Sequence, residues 1–405
     1  MRTEKAFIAM LGLLIGLTPL SIDMYLPGMP AIAGSLEAST GAVQQTLTVF
    51  LIAFSLPQLV FGPLSDALGR RVIIIVGLAL FIGGSVLCSM APSIGWLLVA
   101  RALQAAGASA VAVTVPALVK DRYSHEAFAR TMSFIMMVMA VAPLLAPLLG
   151  SLVLNFGGWR LIFGVLTLIA VIGLLLFWRY IPETLSSERR NPLRVGHQLR
   201  NYRRLLLDRH ALCFMLSAGF LFAGMMAFVA ASPFVYIELY GIPERFYGIL
   251  FGLNVLTLMA LTMLANRFIH LGSGRILQIA FGLVGLVVLL LLWLSAQERP
   301  PLALIVISAM LFVGSYGAIS AHTMSMVMNR FAAISGSTSA LSGTLRFGTG
   351  SLGGAAVGLL HDGSAASMTW VMAGTGVLAI LSFVLAGRPP ATTAQSAHRN
   401  ETKAA

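Results

Sequence analysis

Charged residues are scarce in this sequence. Only 10% of its 405 residues are Asp, Glu, Lys or Arg, whereas 58% are hydrophobic. A soluble domain typically carries about 25% charged residues, so the composition predicts an integral membrane protein. The sequence also has only two cysteines, Cys88 and Cys213, which provide neither a disulfide framework nor a metal-ligand spacing. We therefore expect no metal site.

The sequence lacks the motifs of nucleotide-driven pumps and of common hydrolases. It contains no G-x-x-x-x-G-K-(S/T) loop, no G-x-S-x-G and no H-E-x-x-H. We expect no enzymatic activity, no bound nucleotide and no cofactor. The net charge of +12 raises the possibility of nucleic-acid binding. However, the basic residues lie mostly in short loops between apolar runs and form no stripe with interleaved aromatics, so we expect no nucleic-acid partner.

Long apolar runs dominate what is present, and they predict an all-α membrane protein with twelve transmembrane helices. The long basic stretch 179–209 divides the runs into six plus six. We expect two six-helix bundles, 1–178 and 210–388, around a central cavity, with 179–209 as a cytoplasmic linker and 389–405 as a disordered tail. The runs are roughly 7–27, 43–65, 72–91, 95–118, 131–154, 159–178, 210–235, 246–266, 276–295, 302–327, 336–360 and 367–386.

The distribution of basic residues predicts the orientation. Of the 26 Lys and Arg residues, Arg160, Arg245 and Arg299 lie in loops after odd-numbered spans, and Arg101 and Arg346 lie within spans. The others lie on the side that holds both termini, which the positive-inside rule assigns to the cytoplasm. The linker arginines predict an anchor on anionic headgroups, with a regulatory docking site as the alternative: Arg189, Arg190, Arg194, Arg200, Arg203 and Arg204.

The first span contains an acid. Asp23 belongs to the stretch LTPLSIDMYLPGMP and follows an uncharged run. An ionised acid near the bilayer centre costs about 3 kcal/mol, so such a group usually faces a cavity or a partner and relays protons or binds substrate. Alternatively, Asp23 caps the broken helix end near Pro27 and Pro30 or only pairs with an arginine. Because these residues occupy the place of a cleavage site, we treat the run as a retained span rather than a signal peptide.

The loop between the second and third spans reads GPLSDALGRRV, from Gly62 to Val72. It resembles the loop signature of the major facilitator superfamily, G-x-L-(A/S)-D-x-x-G-R-(R/K). In physical terms, Gly62 permits close approach of another helix, and Gly69 permits a tight turn.

Asp66 is the acid of this signature. It is able to accept hydrogen bonds from the start of the eleventh span, near Ser337. We hypothesise that this contact latches an outward-open state; the alternative is a plain charged turn. Four other residues are expected to join Asp66 in a charge cluster on the cytoplasmic face: Arg70, Arg71, Asp121 and Arg122.

The fourth span reads RALQAAG, from Arg101 through Gln104 to Gly107. This resembles the R-x-x-Q-x-x-G motif that is typical of proton-coupled members of the superfamily. Arg101 stays charged and requires a cavity and an anionic or carbonyl partner. Pairing with Asp23, directly or through water, would favour the ionised acid. A structural bridge from Arg101 to backbone carbonyls is the alternative.

The fifth span contains APLLAPLLG, which ends at Gly150. It resembles the antiporter signature of that span, although Ala146 replaces the first glycine, and Gly150 with the following serine replaces a glycine pair. Pro143 and Pro147 are expected to bend the helix, while the small residues allow close packing. A generic kinked packing helix is the alternative.

Three stretches, SIDMYLP, ALVKDRY and SGTLRFGTG, resemble one branch of the superfamily, the bicyclomycin and chloramphenicol resistance exporters of bacteria. The resemblance implies a multi-pass protein of the bacterial inner membrane that exchanges drugs for protons, driven by the proton gradient. It also implies coupling roles for Asp23 and Arg101. Alternatives are an exporter or proton symporter of a small metabolite on the same fold, and a receptor that binds ligand without net flux.

Polar and ionisable residues inside other spans are candidates for the substrate cavity. His322 is able to accept a proton, but a packing role is the alternative. Arg346 either meets anionic or carbonyl parts of a substrate or stays near the cytoplasmic mouth with backbone partners. Besides drug and protons, we expect membrane lipids as partners, and a monomer. The cavity candidates are Tyr25, Gln45, Tyr236, Asn254, Tyr316 and Arg346.

Overall fold

The computed structural model describes residues 2–123, 125–185, 195–331 and 334–387. This part of the chain consists of helices joined by short connections and contains no strand, so the all-α prediction is confirmed. The α-helices are α1 (Arg2–Asp23), α2 (Met29–Ser35), α3 (Thr40–Leu68), α4 (Arg70–Ser89), α5 (Ile94–Arg122), α6 (His125–Tyr180), α7 (Val195–Leu207), α8 (Arg209–Pro233), α9 (Glu244–Arg267), α10 (Ser273–Ser295), α11 (Leu302–Arg330), α12 (Ser335–Leu359) and α13 (Ala366–Ala386).

The twelve predicted spans are present. Ten of the described helices are long and apolar enough to cross a membrane. One of them, α6, contains both the fifth and the sixth span. The two spans are separated at Gly157 and Gly158, where the backbone torsion angles are not helical. Gly158 has a φ of 70°, which favours glycine because a Cβ would be strained there. The eleventh span is α12, which is not among these ten helices because it contains many Gly, Ser and Thr residues.

The first span is broken near its end. Helix α1 stops at Asp23, a 3₁₀ turn covers Leu26–Gly28, and α2 continues the path to Ser35. Pro27 cannot donate a backbone hydrogen bond, which favours a break at this point. The span is therefore longer than the apolar run alone predicts.

The polar linker contains a helix that the apolar runs did not predict. This helix, α7, is amphipathic: Leu205 is buried, whereas Arg200, Arg203 and Arg204 are exposed. It packs against α8 and α12. The linker arginines Arg189, Arg190 and Arg194 and the predicted tail 389–405 lie outside the described residues.

We call α1–α6 the N-terminal half and α8–α13 the C-terminal half. Because the chain crosses the membrane twelve times, the start of the first span and the end of the last span lie on the same side of the membrane. We call this side the termini side and the opposite side the far side. The halves meet closely along α3 and α12. At the far side, a Cβ added to Gly41 would lie 2.4 Å from the main-chain oxygen of Gly358, so the two backbones touch there.

A second contact between the halves joins the fifth span in α6 to α9. Ser151 Oγ donates a hydrogen bond to the main-chain oxygen of Glu244, at 3.0 Å. A Cβ added to Gly248 would lie 2.7 Å from Leu148 Cδ2. Both contacts lie in the far-side portions of these helices. On the termini side, a cleft of about 390 Å³ lies between α3 and α5 of the N-terminal half, the linker helix α7, and α12 of the C-terminal half.

Candidate functional site

Asp23 is buried inside the protein. Its side chain lies where α1 ends, and the residue is only 6% exposed. It lies within electrostatic range of Tyr25 in its own span and of Tyr247 in the C-terminal half. Among the described residues, no hydrogen bond or ion pair reaches its carboxylate. The acid therefore faces the region between the halves rather than lipid.

Arg101 is fully buried close to this acid. Its Nη1 donates to the main-chain oxygen of Ser21, at 2.9 Å, and to Gln104 Oε1, at 2.6 Å. Gln104 in turn donates from Nε2 to Ser85 Oγ, at 2.8 Å, in the third span. The first, third and fourth spans are thus joined by one chain of polar contacts. The partner of Arg101 in this conformation is a carbonyl, as the structural alternative expected, and not the carboxylate of Asp23.

Aromatic rings surround the rest of the Arg101 guanidinium. Its Cζ lies 4.3 Å from the ring centroid of Phe50, 4.4 Å from that of Tyr25 and 5.8 Å from that of Phe163. Such cation–π contacts partly compensate a charge removed from water. Among the residues that the structure describes, Nε and Nη2 have no hydrogen-bond partner. Arg101 therefore retains two donor nitrogens for water or another acceptor.

The glycine of the fourth-span motif has a packing role. A Cβ at Gly107 would lie 2.3 Å from the main-chain nitrogen of Phe81, and a Cβ at Gly84 would lie 2.3 Å from that of Gln104. Helices α4 and α5 therefore approach each other backbone to backbone. This approach holds Gln104 where it reaches both Arg101 and Ser85.

The fifth span presses on the break in the first. A Cβ added to Gly150 would lie 1.9 Å from the main-chain oxygen of Met24, the residue after Asp23. Pro143 and Pro147 lie within α6, whose non-helical torsions are confined to Gly157 and Gly158. The small residue of this motif thus supports the backbone beside the acid, a link that sequence spacing could not show.

Arg70 is the centre of the charge cluster on the termini side. Its Nη1 lies 2.6 Å from Asp66 Oδ1, and its Nε donates to Asp121 Oδ2 at 2.9 Å. Arg122 instead lies against the ring of Phe7, with its Cζ 4.3 Å from the centroid. The side chain of Arg122 is thus on the first span's side of α5 in this conformation, and its place in the cluster stays a prediction.

Sequence reasoning missed one member of this cluster, Glu183. Its carboxylate accepts hydrogen bonds from the main-chain nitrogens of Arg70, at 3.0 Å, and Arg71, at 3.2 Å. An acid at a helix N-terminus is favoured by the unpaired N–H groups and the helix dipole. Arg71 also donates from Nη2 to the main-chain oxygen of Trp178, at 2.8 Å. These contacts tie the end of the sixth span to the start of the third.

The glycines of the loop signature differ in their roles. Gly69 has a φ of 106°, so the predicted requirement for glycine at this turn agrees with the backbone. A Cβ at Gly62, however, would make only ordinary contact with Val113 Cγ1, at 3.5 Å. The expected close helix approach at Gly62 is therefore not present in this conformation.

The proposed latch between Asp66 and Ser337 is open here. Ser337 Oγ donates to Gln198 Oε1, at 3.0 Å, and accepts from Asn201 Nδ2, at 3.3 Å, both in α7. Asp66 and Ser337 nevertheless line the same termini-side cleft. The latch stays a prediction about another conformation.

Two candidate residues, Gln45 for the cavity and His322 for accepting a proton, have other partners. Gln45 donates from Nε2 to the main-chain oxygen of Ala355, at 3.3 Å, so it lies in the contact between α3 and α12 and not in a cavity. His322 lies 3.1 Å from Ser273 Oγ through Nδ1, which agrees with a packing role.

Other predicted cavity residues are buried near the interface between the halves. Tyr25 is fully buried, and its hydroxyl lies 3.3 Å from Thr46 Oγ1. Tyr236 and Asn254 are also buried, and within the described part of the chain the Tyr236 hydroxyl and Asn254 Oδ1 have no hydrogen-bond partner. Tyr316 packs on Phe222. Arg346 lies apart from these, at a cavity on the termini side of the C-terminal half.

Comparison with known proteins agrees with this architecture. A family model described as Major Facilitator Superfamily matches residues 11–354. The chain belongs to the major facilitator superfamily. It is 36% identical to YdgK of Bacillus subtilis (strain 168), an uncharacterized transporter of this type, over 94% of this chain and 95% of that protein. It is 33% identical to a bicyclomycin resistance protein homolog of Haemophilus influenzae, over 93% of this chain and 95% of that protein.

Solved structures show the same fold at low identity. The xylose transporter XylE from E. coli, in a partially occluded inward-open conformation, superposes with a TM-score of 0.69 at 16% identity, covering 95% of this chain and 99% of that one. The resemblance to the superfamily and to its drug-resistance branch is thus confirmed. The chain is a multi-pass membrane transporter, and the predicted location in a bacterial inner membrane agrees with these relatives.

Proposed function

We propose that this transporter exports amphipathic antibiotics, such as bicyclomycin-type or phenicol-type compounds, in exchange for protons. Relatives named for bicyclomycin and chloramphenicol resistance support the class of cargo. The observation that carries the proposal is buried Asp23, which lies at the break of the first span, beside the region where the two halves meet. The protein needs no cofactor and works as a monomer.

Asp23 is the proton carrier in this proposal. An ionised carboxylate enclosed without a partner is costly in a membrane protein, and a bound proton removes that cost. Closure of the two halves around Asp23 therefore costs less free energy when the carboxyl is protonated than when it is ionised. Arg101, held by Ser21 two residues before the acid, keeps a positive charge nearby. Movement of the first span changes the environment of the acid and of the arginine together.

The cleft indicates which step of the cycle this conformation represents. If both termini are cytoplasmic, as the basic residues predict, the termini-side cleft faces the cytoplasm and the tight contacts face the outside. This is the arrangement in which a cytoplasmic drug enters. The unpaired polar atoms of Tyr236 and Asn254 support contact with cargo or water in the cycle, since such atoms are costly when left unpaired.

The proton gradient supplies the energy. A membrane potential of 100 mV provides about 2.3 kcal/mol for each charge moved. Exchange of one proton for a neutral drug would therefore drive substantial accumulation outside.

The test is transport by purified protein in proteoliposomes with an imposed proton gradient. Chloramphenicol and bicyclomycin are the probes, and drug movement is measured for wild type, Asp23→Asn and Glu298→Gln. Glu298 is an exposed acid on a loop, so its variant controls for loss of one carboxylate. We expect drug to move against the proton flow in wild type and the control, and gradient-driven movement to be lost in Asp23→Asn.

Two outcomes would contradict the proposal. Unaltered gradient-driven transport in Asp23→Asn would remove the acid from coupling. No gradient-driven movement of either drug in wild type would contradict drug export and favour the symporter alternative.

A further inference from the structure

Arg346 lies at a cavity separate from the Asp23 and Arg101 contacts. The cavity holds about 150 Å³ and lies among α8, α11 and α12, in their termini-side portions. Typical pockets for drug-sized ligands have volumes of about 300–1,000 Å³. This cavity is therefore large enough for one end of a substrate only.

The lining is positively charged without a compensating acid. None of the residues that line the cavity is Asp or Glu, and within the described ranges no carboxylate forms an ion pair with Arg346. A guanidinium stays charged and is costly in a membrane interior without an acceptor. A ligand that carries a negative charge could therefore pair with the guanidinium of Arg346.

Two donors in this cavity lack partners. Arg346 Nε and Ser342 Oγ are both buried atoms, and neither makes a hydrogen bond with any residue that the structure describes. They are four residues apart on α12, so they lie on the same face of the helix. A carboxylate presents two acceptor oxygens, which match an arginine and a neighbouring hydroxyl.

Apolar groups flank these donors. The Arg346 Cζ lies 4.8 Å from the ring centroid of Phe347 and 5.7 Å from that of Phe222, which limits how the guanidinium moves. Met215 and Met324 line the cavity as well. Methionine side chains make adaptable contacts and favourable sulfur contacts with aromatic rings. The cavity thus combines an anion site with a soft apolar wall.

We propose that Arg346 and Ser342 bind the carboxylate of an aromatic acid, whose ring packs against Met215 and Met324. This adds a second class of substrate for the exporter, compounds that carry a carboxylate beside an aromatic ring, so it rests on the proposed function. A neutral amide of the same shape binds more weakly, because it cannot balance the charge of the arginine.

The helix that carries Arg346 and Ser342, α12, also contacts the N-terminal half. On the other side of the same stretch of α12, Thr344 Oγ1 donates to the main-chain oxygen of Ser55 in α3, at 3.3 Å. Phe347 meets Phe54 of α3 with ring centroids 4.6 Å apart, and Phe54 stacks on Phe50, which touches Arg101. Occupancy of the cavity therefore acts on a helix that contacts both halves.

Calorimetric titration of purified full-length protein in phosphatidylcholine nanodiscs tests this site. The probes are 2-naphthoate and 2-naphthamide, which differ in charge but hardly in shape. We expect wild type to bind 2-naphthoate at least about tenfold more tightly than 2-naphthamide, because hydrogen bonds to charged groups are stronger. Arg346→Gln should lose this preference, Ser342→Ala should weaken it, and Arg346→Lys should retain part of it.

Arg267→Gln is the matched control, since it removes an exposed arginine from the termini side of the same half. It should bind both probes as wild type does. Equal affinity of wild type for the two probes, no binding of 2-naphthoate to wild type, or an unchanged preference in folded Arg346→Gln would overturn the site. Binding is measured without a gradient, so failure of proton exchange would appear separately, as the absence of gradient-driven chloramphenicol movement in wild-type proteoliposomes.

Discussion

The guanidinium of Arg101 is bonded to the main-chain oxygen of Ser21, 2.9 Å away, and the acid of the same span, Asp23, lies two residues further along the chain. The arginine therefore acts on the backbone that carries the acid. A direct ion pair would hold both charges in one place. A bond to the carbonyl leaves the carboxylate able to exchange its proton while the arginine fixes the helix end.

This relationship predicts different results for two substitutions of Arg101. Arg101→Ala leaves the Ser21 oxygen and Gln104 Oε1 without their donor, so we expect a loss of about 1–3 kcal/mol in the free energy of unfolding. Arg101→Lys keeps the charge but replaces the planar guanidinium that lies against the rings of Tyr25 and Phe50 with a compact ammonium. We expect it to fold more stably than Arg101→Ala yet to lose most proton-driven transport.

Thermal unfolding of purified protein and transport in proteoliposomes measure the two effects. Arg267→Ala serves as control, because this arginine is exposed at the end of α9. Full transport by Arg101→Lys would show that a positive charge at this position is sufficient, without the planar guanidinium.

The contact between Gly150 and Met24 yields a second prediction. A methyl group at position 150 would overlap the Met24 oxygen, so Gly150→Ala must displace the fifth span or the break beside Asp23. Overpacking of this kind costs about 1–3 kcal/mol. We expect a lower unfolding temperature and reduced proton-driven export, measured in the same two assays.

Gly164→Ala is the control in the same helix, because a Cβ there has its nearest neighbour only at 4.0 Å, Leu161 Cδ1. That variant should unfold and transport as wild type does. Normal stability and transport in Gly150→Ala would mean that the two spans separate easily and that their contact does not position the acid.

Much of the fold follows from local sequence. The apolar runs predict the number of spans, because each membrane crossing by a helix requires about 20 apolar residues. The positive φ at Gly69 was also predictable, because the loop signature that requires glycine there lies within a few consecutive residues. Burial of Asp23 also agrees with the cost of an ionised acid in lipid.

The features that could not be predicted depend on residues distant in the chain. Glu183 reaches the start of α4 only because the sixth span ends beside the third. Gln45 was assigned to a cavity from its polarity, but the approach of α12 to α3 gives it a carbonyl partner instead. The amphipathic helix α7 has too few apolar residues to appear as a run. Periodicity within one span carries no information about which neighbour it meets.

Asp208 connects two elements of the C-terminal half on the termini side. Its Oδ1 accepts from the main-chain nitrogen of Ala211 at the start of α8, at 2.9 Å, and its Oδ2 accepts from Arg330 Nη2 at the end of α11, at 2.7 Å. Burial raises the pKa of Asp208, but the hydrogen bonds from Arg330 and Ala211 and the charge of Arg330 outweigh it. The pKa of this carboxyl is therefore below its usual value.

A depressed pKa in the folded state makes the contribution of Asp208 dependent on pH. The stabilisation is fully present above the unfolded pKa of about 3.9 and is lost as the pH falls through the lower folded pKa. Asp208→Asn keeps an acceptor for Ala211 but loses the charge, so we expect it to cost about 1 kcal/mol at pH 7. The difference between the unfolding temperatures of wild type and variant should shrink as the pH approaches 3.

Arg330→Gln should show the same loss, and the double variant should be no less stable than either single one, because both substitutions remove one interaction. Additive losses in the double variant would show that the two residues stabilise the protein independently.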